Sequence, residues 1–293
     1  MEISGLLLSY IAILGFILGF VVSKTNFCTM GAVSDWVNIG DLSRFKSWMF
    51  AAAIAVLGVT VFEFLSYVDL NDSRIPYRNS VFSWPRYVLG GLMFGVGMTY
   101  ASGCGNKVLI RVGGGNLKSI VVLLVAGLMA YIMTRTDFYG IIFHSWMNSI
   151  SPDLAILGIE DQSLPTIISS IIFAANTVYY KLTIGLLVGF IFMYYIFRSG
   201  SFVKNIDNVI GGFIVGSVVV LAWYLTGSTL GQEWIETNDF LDSPLPGVGV
   251  QSFTFINPMG ESIIYLSKSA DIYYLTFGVA ALLSVILGSF VYS

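Results

Sequence analysis

The sequence predicts an all-α polytopic membrane protein, with transmembrane helices around short re-entrant helix–loop segments in a pseudo-repeat architecture. Three observations carry this. Of 293 residues, 56% are hydrophobic and 11% charged, whereas soluble domains carry about 25% charged residues. Apolar runs of about 20 residues, the length a bilayer demands, recur along the chain. The 31 glycines, many inside those runs, suit membrane helices, where small residues let backbones approach closely.

Taken in order, Ile3–Ser23 is the first span, with Gly15 and Gly19 on one face. It lacks a basic leader and a small-residue cleavage site, so it reads as a retained span. Thr25–Ser34 is apolar but too short to cross, and reads as a re-entrant hairpin or broken helix. Asp35 and Asp41 follow and are expected to cap short helices. Ser47–Val68 is the next span. It carries Glu63, an acid that calls for a partner or a place at the membrane surface. Asp69–Pro85 is a polar loop with Asn71, Asp72, Pro76 and several arginines. Arg86–Tyr100 begins a glycine-rich helix (Gly90, Gly91, Gly95, Gly97). Gly113-Gly114-Gly115 then breaks the chain, and Asn116 is placed to cap a helix over Leu117–Thr134. Phe138–Ile150 is too short to cross and reads as interfacial or re-entrant, with His144 a satisfied interfacial side chain.

Pro152–Gln162 is an acidic loop. Leu164–Tyr180 and Leu182–Phe197, split by Lys181, make one kinked span or two. Arg198–Asp207 is a polar link, and Asn208–Gly227 is a span. Gly231–Gln251 reads as a long loop with Glu233, Glu236, Asp239 and Asp242 and no base. Pro258 and Gly260 predict a broken helix within Ser252–Leu266, and Ile272–Tyr292 is the last span. Cations favour the cytoplasmic side, so Arg198–Lys204 is expected inside and the base-free loop outside. Residues 1–293 form one integral membrane domain, with pseudo-repeat halves at about 1–150 and 165–293. The second half reads as incomplete. The chain stops at Ser293 directly after an apolar run, which predicts C-terminal truncation.

Cys28 and Cys104 stand 76 residues apart. Each follows a glycine-bearing apolar helix and sits in a polar stretch: Lys24-Thr25-Asn26-Phe27-Cys28-Thr29-Met30-Gly31, and Tyr100-Ala101-Ser102-Gly103-Cys104-Gly105-Asn106-Lys107. A buried cysteine can serve as a small hydrophobe. The matching polar contexts point instead to thiols facing a narrow path. A thiol is a weak donor and a weak acceptor. It can touch a polarizable sulfur anion without holding it, as conduction requires. Lys107, Arg111 and Lys118 would concentrate an anion, although Arg111 also suits ordinary positive-inside flanking. The helix start after Asn116 offers backbone donors. The candidate path residues are Asn26, Cys28, Ser102, Gly103, Cys104, Gly105, Lys107, Asn116 and Lys118. One His and two Cys fall short of the four ligands of a structural zinc site, and no cofactor is expected. A net charge of −3 does not suggest nucleic acid. Without a P-loop or a nucleophile–base pair, no enzyme is expected.

At these residues the chain resembles the YeeE/YedE family of bacterial inner-membrane sulfur transporters, which take up thiosulfate. The matching stretches are Asn26-Phe27-Cys28-Thr29-Met30-Gly31-Ala32-Val33-Ser34-Asp35, Ala101-Ser102-Gly103-Cys104-Gly105-Asn106, and Gly113-x-Gly115-Asn116-Leu117-Lys118-Ser119. Ile210–Gly216, Trp223–Gly227 and Phe253–Pro258 add to them. The resemblance implies membrane helices enclosing short re-entrant pairs around a constricted centre, in a multi-pass protein of the bacterial inner membrane. It implies thiosulfate, or a similar small anion, passing along Cys28 and Cys104 by S–H to sulfur hydrogen bonds. It also implies a small cytosolic sulfur-carrier protein as a partner. The family's third functional cysteine, in a late Gly-Cys segment, has no counterpart here. The residues leave other readings open: a selenium compound or another small sulfur anion as cargo, or a membrane sulfurtransferase forming a cysteine persulfide.

Overall fold

In the computed structural model, residues 2–71, 73, 78–172, 177–198 and 200–293 are described. Asp72, Arg74, Pro76, Ser199 and the stretch 173–176 lie outside the described residues. The fold is all-helical among the described residues, with β pairing confined to the isolated bridges Ser73–Val250 and Val81–Asp153.

The first part of the chain repeats one local plan. Helix α1 (Glu2–Thr25) breaks at Asn26-Phe27-Cys28 and resumes as the short α2 (Thr29–Ile39); α3 (Ser43–Phe64) then runs the length of a span. Helix α4 (Trp84–Tyr100) breaks before Cys104 and resumes as the short α5 (Gly105–Gly113), followed by the long α6 (Leu117–Arg135). Asn26 (φ 52) and Ser102 (φ 56) both take the left-handed conformation two residues before a cysteine. Asn tolerates that conformation better than most residues, and a helix cannot continue through it. Each short helix is followed by a left-handed glycine, Gly40 (φ 76) or Gly115 (φ 80).

The second part holds α7 (Ser145–Ser149), α8 (Leu164–Ile171), α9 (Thr177–Phe197), α10 (Gly200–Lys204), α11 (Ile206–Gly227), α12 (Thr229–Asp239), α13 (Ile256–Ser267) and α14 (Phe277–Tyr292). Six stretches among the described residues are long and apolar enough to cross a membrane: Ile3–Ile39, Ser43–Phe64, Trp84–Gly113, Leu117–Arg135, Val178–Phe197 and Ile206–Gly227. Both cysteine breaks lie inside such stretches. Leu92, Val96, Leu124, Val125 and Phe190 are exposed along these helices, as lipid-facing positions are.

Glycine sets the tightest packing. α1 and α14 run parallel in backbone contact. A Cβ on Gly19 would stand 2.1 Å from the Val285 carbonyl oxygen, and one on Gly288 2.0 Å from that of Phe16. Ser23 donates to Ser289 at the end of this seam (2.8 Å). Elsewhere α3 lies between α9 and α11, and α13 lies on α6. The main core gathers Leu18 and Val22 of α1, Leu109 and Ile110 of α5, Val218 of α11, Met259 of α13, and Leu282 and Val285 of α14.

Several expectations change. Asp35 caps nothing: it lies within α2 and pairs with Arg44 at 3.0 Å. Asp41 does hold the start of α3, accepting from the N–H (2.8 Å) and hydroxyl (2.6 Å) of Ser43. Those bonds hold its carboxyl below the usual carboxylate range. The expected acidic loop begins as α12, whose buried residues Gly231, Trp234 and Asn238 recur at helical spacing. Glu233, Glu236 and Asp239 are exposed on the other side. Four acids in a row of polar residues hid that period. The last span is shorter than expected, because Thr276 caps α14 by accepting from Val279 N–H (3.2 Å). Leu164–Phe197 is two helices, α8 and α9. Asn116 caps α6 as expected, accepting from Lys118 N–H at 3.1 Å.

Candidate functional site

The two helix breaks meet. Each cysteine stands on extended backbone at the N-cap of its short helix: Cys28 at φ −159, ψ 126, and Cys104 at φ −72, ψ 171. The cysteine carbonyls take the first helical bonds, from Ala32 N–H (2.9 Å) and Val108 N–H (3.0 Å). Cys28 Sγ accepts from Gly31 N–H at 3.5 Å. Cys104 closes no such cap bond. The two thiols are close enough to perturb one another, and a side-chain hydrogen bond from Lys107 to Asn26 draws the two breaks together. Both are free thiols; Cys28 is buried and Cys104 half-buried.

Cations line the same place. Lys107 Nζ donates to Asn26 Oδ1 at 3.1 Å, tying the α5 side of the site to the α1–α2 break. Its stem lies against Gly103, where a Cβ would stand 2.9 Å from the Lys107 Cβ. A Cβ on Gly105 would stand 2.9 Å from the Ile256 side chain and 3.4 Å from the Phe255 Cβ, so the Phe253–Pro258 stretch backs the Cys104 turn. Arg44 was not singled out by the sequence, yet it belongs here. Its guanidinium donates to Asp35 (3.0 Å) and to the Asn26 carbonyl (2.8 Å). It lies over Gly31, where a Cβ would meet it at 2.9 Å. Arg44 starts α3, 16 residues beyond Cys28, so no local motif links them. Asn106 Oδ1, next to the Cys104 turn, is buried without a hydrogen-bond partner among the described residues.

The structure thus brings together Asn26, Cys28, Gly103, Cys104, Gly105 and Lys107. Ser102 supplies the turn and is exposed. Asn116 and Lys118 are not with them. They sit past the far end of α5, a helix of nine residues, which separates them from Cys104 by about 13 Å of helix rise. The α1–α2 break lies inside the bundle: a Cβ on Gly211 would meet the Thr25 side chain at 2.8 Å, about 7.5 Å along α11 from its start.

Glu63 finds its partner in Arg78, which donates to both of its carboxylate oxygens (2.8 and 3.0 Å). Arg78 also reaches Asp161 at 3.5 Å. A cavity of about 780 Å³ opens beside this network between α3 and α9, and neither cysteine lines it. Glu261 is buried and accepts from Thr276 and from Asn257 (2.9 Å), with Arg135 at 4.0 Å.

A family model described as sulphur transport matches residues 24–293. The chain is similar to the thiosulfate transporter TsuA of Escherichia coli strain K12, with 23% identity over 288 residues, which is 95% of this chain and 72% of that protein. It is also similar to the thiosulfate transporter TsuA of Spirochaeta thermophila, with 29% identity over 144 residues, 49% of this chain and 41% of that protein.

Proposed function

The chain belongs to the sulphur-transport family, and from that premise we propose that it imports thiosulfate across the bacterial inner membrane along its two facing thiols. The observation that carries the proposal is that two separate helix breaks, each with a cysteine at its N-cap, are tied together by Lys107 and Asn26 so that Cys28 and Cys104 are neighbours. Both relatives named above are called thiosulfate transporters.

The chemistry fits the cargo. Thiosulfate carries a soft terminal sulfur and a hard oxyanion end. A neutral thiol offers the sulfur a weak S–H donor, so the ion is passed on rather than trapped. Lys107, Arg44 and Arg111 face the same region, with Asp35 paired to one of them. Such a surplus of positive charge raises the local anion concentration and lowers the entry barrier. The short helices add backbone donors at their starts. Gly103 and Gly105 let a lysine stem and the Phe255 stretch close in on the turn, which keeps the passage narrow. A small cytosolic sulfur carrier would take the ion on arrival. The repeated break-and-cap plan forms one pseudo-repeat half in this reading, with residues 165–293 supplying the other.

Replacing Cys104 by alanine tests the proposal. Cells that depend on thiosulfate as their sulfur source are expected to stop growing, with the variant still present in the membrane fraction. Undiminished uptake of labelled thiosulfate by the variant would remove the thiol relay. A persulfide on Cys104 during turnover, read by mass spectrometry, would favour sulfur transfer instead.

A further inference from the structure

We infer that Cys28 and Cys104 are a dithiol modification site for oxidised sulfur anions that contain a sulfur–sulfur bond, with tetrathionate the simplest, and that reaction there joins the two breaks by a disulfide. The closing of the path by that bond rests on the reading of the preceding subsection; the bond itself does not.

Three observations support it. The two breaks are tied together by Lys107, which donates to Asn26 Oδ1 at 3.1 Å, so the thiols are neighbours, and both residues stand on extended backbone outside their helices. The bond therefore requires the sulfurs to close to about 2.05 Å without unwinding a helix. Among the described residues no group of three or more His, Cys, Asp or Glu surrounds a common point. Finally, Cys104, the more exposed of the two residues, lies beside Lys107 and its neighbouring arginines, which draw a dianion toward it.

The step balances. A thiolate is the attacking form, so Cys104 first releases its proton to water. It attacks a central sulfur of tetrathionate and breaks the bond there. One thiosulfate leaves, and Cys104 keeps the remaining S–SO3 group. Cys28, deprotonated in turn, attacks the Cys104 sulfur and expels the second thiosulfate. Two thiols lose two electrons and two protons, and one tetrathionate gains the two electrons to become two thiosulfates. A thiol reductant reverses the cross-link.

The test uses the full chain, purified in detergent and treated with tetrathionate. Digestion without reduction is expected to yield one peptide pair joining Cys28 to Cys104, lighter by two hydrogens than the separate peptides. Two thiosulfates should appear per chain. In C28S the reaction should stop at an adduct on Cys104 with one thiosulfate released. Thiols that remain alkylatable after treatment, or two separate adducts with no joined peptide, would overturn the inference. Labelled thiosulfate uptake into proteoliposomes is then measured before oxidation, after it, and after reduction. Loss and recovery are expected. A joined peptide with unchanged uptake would leave the modification standing and overturn the transport path through these thiols.

Discussion

Arg44 shows what a single residue decides. Its guanidinium bonds Asp35 and the carbonyl of the left-handed Asn26 at once, and it can lie there because Gly31 has no side chain. A lysine has one ammonium and cannot reproduce that fork. R44A is expected to lower the initial rate of thiosulfate uptake on the order of tenfold, the factor that about 1.4 kcal/mol represents. R44K should recover part of it, since it restores charge but not geometry. Uptake at wild-type rates in both variants would show that Arg44 serves neither the turn nor the anion. The Asp35–Arg44 pair also explains why Asp35 caps no helix. An acid beside a predicted short helix suggests a cap, but a helix running on to Ile39 places it mid-helix, where a distant cation claims it.

At the scale of the elements, the seam between α1 and α14 depends on Gly15, Gly19 and Gly288, where any Cβ would strike the opposite helix. G19L is expected to destabilise the protein by about 1–3 kcal/mol or more, the range for overpacking. G5L, with nothing within 4 Å of its Cβ position, should leave stability unchanged. Thermal unfolding of detergent-solubilised protein measures both; equal melting temperatures for the two variants would refute the seam. The spacing of Gly15 and Gly19 was legible in the sequence, but their partner was not. For α12, an amphipathic helix with a buried Trp234, even the spacing was obscured by the acids around it. Helix periodicity shows in apolar residues, and α12 has few.

Across the whole molecule, Arg78 ties the end of α3, through Glu63, to Asp161 in the segment before α8. Removing it leaves two partly buried carboxylates facing each other without a cation. R78A is expected to lower stability by about 1.5–3 kcal/mol, as loss of hydrogen bonds to charged groups does. A double-mutant cycle with E63Q isolates the pair's share, and additive effects would mean that the pair contributes nothing of its own. Five cations gather at one end of the bundle, while Arg78 and Lys181 stand at the other, around Glu63. Lys24 ends α1, Arg44 and Lys46 begin α3, Arg198 follows α9 and Lys204 ends α10 just before α11 begins. The opposite end of α11 leads into the acidic α12.

Composition and run length alone determined that this is a helical membrane protein, because a bilayer admits few structures that satisfy every backbone group. The same text exposed the two cysteines, through polar and glycine residues where apolar ones would serve. Only the tertiary structure decided that Lys107 ties the two turns together and that Arg44 lies over the first of them. It also decided that Asn116 and Lys118, sequence neighbours of the site, stand a helix length away. The physical reason is that local conformation follows from neighbouring residues. Contact between chain segments 76 residues apart follows from how whole helices pack.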